Sequence, residues 1–176
     1  MYDLLADVKL SIDLEEKGLT FYSQTAAKAK NPLAASTLSS LADREKEHMV
    51  KIKEFYENLS GSKKLESGWL MAVEFPPSKQ ALLGPIIAKL KANLDKKFES
   101  DKDINDAYLI AEGLERDSFN LYEKISKETT DDTARKFYAA LALEEREHFS
   151  ILEDTLLYLN DPGEWYRLQE RWIVEG

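Results

Sequence analysis

The chain has no cysteine among its 176 residues. That excludes a disulfide framework, a thiolate nucleophile, a zinc–thiolate site and an iron–sulfur cluster, so any metal held here takes oxygen and nitrogen ligands. Histidine is nearly as scarce, with two. Positive charge is in deficit as well: 24 Lys and Arg against 33 Asp and Glu leave a formal net charge of −9. Such a balance argues against a surface built for nucleic acid or anionic membrane lipid. No apolar run approaches the roughly 18 residues of a membrane span, and no basic-then-apolar signal segment opens the chain. A cytoplasmic location is the expectation. The 43% hydrophobic content is ordinary for a soluble globular protein, and the length suits one domain with a sizeable core.

Both histidines fall in one repeated octet. Leu41-Ala42-Asp43-Arg44-Glu45-Lys46-Glu47-His48 returns one hundred residues later as Leu141-Ala142-Leu143-Glu144-Glu145-Arg146-Glu147-His148. A helix advances about 100° per residue, so the Glu and His of each Glu-x-x-His lie one turn apart on one face, able to grip the same ion. The same offset matches Glu15-x-x-Gly18-x-x-x-Tyr22 with Glu115-x-x-Ser118-x-x-x-Tyr122. Seven residues are about two helical turns, so each glutamate shares a face with its tyrosine. The chain reads as a duplicated helical hairpin. Each half offers a lone glutamate from its first helix and a Glu-x-x-His from its second.

Apolar residues at helical spacing place a first helix over about 2–30, and Asn31-Pro32 is a good start signal for a second, running to about 59. Residues from about 60 to 102 read as a long connection carrying one short helix, opened by Pro85 and marked by Ile86, Leu90, Leu94 and Phe98. Helices of about 28 residues are roughly 40 Å long, so a connection of this length runs back along the bundle and leaves helices two and three parallel. A third helix spans about 103–128 and a fourth about 131–159. Asp161-Pro162-Gly163 stops the pattern. The predicted class is all-α: a four-helix bundle over residues 1–160 with a long crossover, then a tail over 161–176. Trp165, Tyr166, Trp172 and Ile173 are expected to dock that tail on the bundle or on a neighbouring subunit.

One glutamate from each of two helices plus Glu-x-x-His from each of the other two is the ligand set of dinuclear carboxylate bundles. Here it comprises Glu15, Glu45, His48, Glu115, Glu145 and His148. Four carboxylates in one core are prohibitive unpaired, yet two divalent ions balance them. A mixed oxygen and nitrogen shell with open positions favours iron or manganese over calcium. Glu112, three residues before Glu115, is expected to add a fifth carboxylate and make the site asymmetric. Tyr22 and Tyr122 are expected to hydrogen-bond ligand carboxylates from behind. Gly18, Ser118, Ala42 and Ala142 read as small residues making room beside the ligands. Glu16, Glu47, Glu144 and Glu147 fall about 100° or more off the ligand faces and read as surface charges.

Glu15-x-x-Gly18-x-x-x-Tyr22, Glu45-x-x-His48, Glu112-x-x-Glu115 and Glu145-x-x-His148 together resemble the rubrerythrins, within the ferritin-like group of di-iron proteins. The resemblance covers about residues 2–159. It implies a ferritin-like bundle, two iron ions with manganese as the alternative, Glu112 as the additional ligand of rubrerythrin sites, reduction of hydrogen peroxide, and a homodimer. Rubrerythrins commonly carry a rubredoxin domain whose four cysteines hold an electron-transfer iron. This chain has no cysteine and looks like the bundle alone, so a separate electron-donor protein such as rubredoxin is the expected partner. Three other readings compete: a ferroxidase or iron-binding ferritin-like protein that takes oxygen, a dimanganese catalase, and a structural bundle without metal. The last would bury four or five uncompensated carboxylates at a cost of several kcal/mol.

Overall fold

The computed structural model describes residues 3–61 and 102–175, and within them the chain forms five helices: α1 (Leu4–Lys28), α2 (Pro32–Ser60), α3 (Lys102–Glu128), α4 (Asp132–Asn160) and α5 (Pro162–Glu175). Short polar side chains start them. Asp3 accepts the Ala6 N–H at the head of α1, and Asn31 accepts those of Leu33 (2.9 Å) and Ala34 (3.2 Å) with Pro32 at the first helical position of α2. Asp131 accepts the Ala134 N–H at 2.7 Å to open α4. Each satisfies donors that a helix start leaves without a partner.

Asp161-Pro162-Gly163 reads as a stop, and the structure shows it to be a start as well. The Asp161 N–H closes α4 on the Leu157 carbonyl at 2.7 Å, while its side chain accepts the Glu164 N–H at 2.9 Å and caps α5. The cap-then-proline signature at 31–32 recurs here, so the tail begins as a helix.

Three-residue links join α1 to α2 and α3 to α4, which makes each pair an antiparallel hairpin. The hairpins then pack head to tail: Tyr22 of α1 reaches Glu115 of α3, and Glu15 of α1 meets Tyr122 of α3. Numbers rise along one helix as they fall along the other, so α1 and α3 are antiparallel and α2 runs parallel to α3, as the sequence predicts. The long crossover with its short helix lies outside the described residues, as do the side chains of Trp172 and Ile173.

Two apolar clusters fill the bundle above and below a polar middle layer. One gathers Leu38, Leu41, Tyr108, Ala111 and Leu152, with Tyr158 and Trp165 at its edge. The other gathers Val8, Ile52, Phe55, Ile125, Phe137 and Tyr138, with the Phe55 and Phe137 rings stacked at 4.7 Å. Burying each of the Val, Leu, Ile and Phe side chains stabilises the fold by about 1.5–3 kcal/mol, and that is what offsets a charged layer between them. Trp165 meets Tyr158 edge-on at 5.3 Å and brings α5 against the first cluster. Among the described residues no helix is long and apolar enough to cross a membrane.

Candidate metal centre

Helical periodicity carries six ionisable side chains into the middle layer. Glu15, Glu45, His48, Glu115, Glu145 and His148 are all buried, none more than 4% exposed. On α2 the buried face runs through Leu38, Leu41, Ile52 and Phe55, and Glu45 and His48 straddle its centre line. On α4 the same holds for Glu145 and His148, between Leu141 and Leu152. Gly18 lets α1 approach: a Cβ there would sit 3.4 Å from the Glu45 carboxylate.

The six side chains form two mirrored sets. Nδ1 of His48 lies 3.4 Å from Oε2 of Glu15, and Nδ1 of His148 lies 3.4 Å from Oε2 of Glu115. Glu45 and Glu145 span both. Glu145 presents Oε1 to His48 at 3.0 Å and Oε2 to His148 at 3.6 Å, while Glu45 presents Oε2 to His48 at 3.9 Å and Oε1 to His148 at 3.5 Å. The two imidazoles stack, 5.3 Å apart and 14° from parallel. One ligand atom from each of Glu45, His48, Glu145 and His148 falls within 4.8 Å of all the others.

A model of the rubrerythrin family matches residues 8–156. The chain belongs to the rubrerythrin family. Neither the curated proteins nor the solved structures offer a match to it. Family membership and the buried Glu/His cluster agree on a bundle able to hold metal.

The donor set itself tests that fit. Oε2 of Glu15, Oε2 of Glu115, Oε1 of Glu145 and Nδ1 of both histidines are buried without a hydrogen-bond partner. Buried polar atoms are normally satisfied, and these five face one another. First-row divalent ions bond nitrogen and oxygen at about 2.0–2.2 Å, which spaces neighbouring donors about 3 Å apart. The observed spacings of 3.0–3.9 Å sit close to that, so the residues fit bound metal.

Protons supply the compensating charge otherwise. Burial pushes the Glu115 carboxyl up to about 8, helped by the neighbouring Glu145 charge, and burial with Glu15 and Glu145 raises Glu45 well above the carboxylate range. For His48 and His148 burial opposes the charged form, but Glu15 and Glu145 around the first and Glu115 around the second outweigh it, and both are raised. Glu145 is held low: burial works against its ionisation, and the adjacent His48 charge more than reverses that.

The tyrosines cross between halves. Tyr22 donates to Oε1 of Glu115 and Tyr122 to Oε1 of Glu15, which leaves Oε2 of each carboxylate turned toward its histidine. A glutamate and the tyrosine seven residues on share a face but stand about 10 Å apart, so each tyrosine serves the antiparallel partner. Burial, reinforced by those carboxylates, raises both phenols and keeps them donors.

Two expectations need correction. Glu112 is not brought to the cluster: it is half-buried, and its electrostatic neighbours are Glu153 and Arg116. Ile104, Tyr108, Ala111, Glu115 and Tyr122 define the buried line of α3, and Glu112 is rotated about 60° from Glu115 off that line. The pairs on α2 and α4 straddle their centre lines, whereas Glu115 sits on its own. Glu144 is buried, not a surface charge: its Oε2 lies 2.5 Å from Nε2 of His48. Helix α4 packs against α2, α3 and α5, so its buried arc is wide enough to take in a residue 100° from Glu145. A signal was present in the repeat, since Glu144 stands where the first half has Arg44, and a ligating imidazole needs a partner for its second nitrogen. Glu16 and Glu47 are exposed as expected.

Proposed function

We propose that Glu15, Glu45, His48, Glu115, Glu145 and His148 hold two iron ions and that the chain reduces hydrogen peroxide with electrons from a separate donor such as rubredoxin. The observation that carries this reading is the two-sided arrangement of buried donors: Glu15 with His48, Glu115 with His148, and Glu45 and Glu145 offering one oxygen to each side. Four carboxylates match the charge of two divalent ions, and imidazole with carboxylate suits iron. When bound, an iron pair supplies two electrons, one per ion; with two protons these convert one hydrogen peroxide to two waters, and the donor returns the electrons.

The chain's own groups prepare that chemistry. Glu45 and Glu145, each with one oxygen toward either histidine, would help hold both ions, while Glu15 and Glu115 would each serve one. Tyr22 and Tyr122 hold those end carboxylates by their outer oxygens, so the inner oxygens stay aimed at the centre. Glu144 accepts the Nε2–H of His48, which turns the Nδ1 lone pair inward. The apolar clusters on either side keep bulk water from the layer.

Anaerobic loading with ferrous iron, then rapid mixing with peroxide or oxygen while following ferric absorbance, tests the reading. Two irons per chain oxidised much faster by peroxide is the expected result. Faster reaction with oxygen would make the chain a ferroxidase or oxidase. Oxygen evolved from peroxide by a manganese-loaded sample, without reductant, would make it a catalase.

A further inference from the structure

The two halves match at every candidate ligand and differ behind the imidazoles. Glu144, on α4 and 7% exposed, reaches across to Nε2 of His48 on α2 at 2.5 Å. Its Oε1 is buried without a hydrogen-bond partner, so the carboxylate serves this one contact. The corresponding residue of the first half is Arg44, whose guanidinium turns along its own helix to Glu47 at 3.0 Å. Among the described residues, the carboxylates that pair with His148 face its Nδ1. A carboxylate braces the outer nitrogen of His48, and among the described residues none is seen at that of His148.

We propose that Glu144 is a positioning residue that makes the two ion positions unequal, so that the Glu15–His48 position binds its ion more tightly and fills before the Glu115–His148 position. This rests on the two-ion reading above. A carboxylate accepting from the outer nitrogen fixes the tautomer and ring orientation of a ligating histidine and makes the inner nitrogen a better donor; losing such a partner typically weakens metal binding by roughly 10- to 100-fold. Glu144 also places one more negative charge behind that ion alone, in a layer where burial reduces screening. Among the described residues no carboxylate does the same at His148, and the matching position holds Arg44, of the opposite sign.

Cobalt(II) titration of the metal-free protein, followed by calorimetry and visible absorbance, reads both steps without turnover. The native chain should take two ions in two resolved steps. E144Q keeps the shape and removes the charge; it should weaken the tighter step by roughly tenfold or more and move the weaker step less than about threefold, within the range of indirect effects. In a His48→Ala background the same change should have no further effect, whereas a residue that only packs the helices would still alter the remaining step. If E144Q loses the native helical circular dichroism, E144D, which withdraws the charge by one methylene, replaces it with the same split expected. Native protein that takes two ions in equal steps, or E144Q that shifts both steps alike or neither, overturns this inference and leaves the two-ion reading standing. Native protein that takes fewer than two ions overturns both.

Discussion

Stripped of metal with a chelator, the fold should lose stability as pH rises from 5 to 8. Glu115 is pushed up to about 8 by burial and by Glu145, from an ordinary value of 4.5. A carboxyl whose folded value lies above its unfolded one contributes fully below about 4.5, and that contribution is lost as pH climbs toward 8, because the unfolded chain releases a proton the folded one keeps. Glu45 is raised in the same sense, and so are His48 and His148, whose contributions fade only above their ordinary 6.5. Glu145, held low, is ionised throughout this window and adds no slope. One proton is worth about 1.4 kcal/mol per pH unit, so Glu115 alone removes roughly 4 kcal/mol over three units, from a total of about 5–15 kcal/mol. For a domain of this length that lowers Tm by about 10 °C. Cobalt(II) should reverse the trend, since bound metal displaces those protons and binds more tightly as pH rises. Thermal melts followed by circular dichroism at pH 5, 6, 7 and 8, with chelator and with metal, supply the comparison. A metal-free Tm that stays flat or climbs across this range would refute the reasoning.

Removing a phenol should act across the hairpins. Tyr122→Phe leaves Oε1 of Glu15 without its donor, so about 1–3 kcal/mol of stability is lost, and cobalt titration should show the step involving His48 weakened; Tyr22→Phe should weaken the other. Glu112→Gln should leave both the number and the affinity of bound ions unchanged, because Glu112 faces Glu153 and Arg116; loss of an ion in a metal analysis of that variant would return it to the ligand set. Trp165→Ala should cost about 3–5 kcal/mol in urea denaturation, because α5 is held to the bundle through its ring against Tyr158; a change under 1 kcal/mol would mean the ring adds little to the packing.

Much of this centre is written in spacing alone. A helix turns a separation of three or seven residues into a shared face, so spacing alone sets Glu45 beside His48 and Glu145 beside His148, and the offset of one hundred pairs the halves. Caps are equally local: Asn31-Pro32 announces α2 because the side chain that satisfies the first turn belongs to the turn itself. What the spacing leaves open is where the arc of burial ends and which helix a side chain meets. Glu112 and Glu144 both lie near that edge, and their burial depends on how many neighbours each helix has. Packing on α2, α3 and α5 draws Glu144 inward to His48, while α3 presents Glu115 along its centre line and turns Glu112 aside. The tyrosines follow the same rule, each bonding the glutamate of the opposite half because antiparallel packing brings residue 22 level with 115. The sequence by itself determined the four bundle helices, their inward faces and the six candidate ligands, all consequences of periodicity within one chain segment. Only the tertiary structure decided the cross-helix partners and the inequality between the two histidines, because distances between helices are settled by packing.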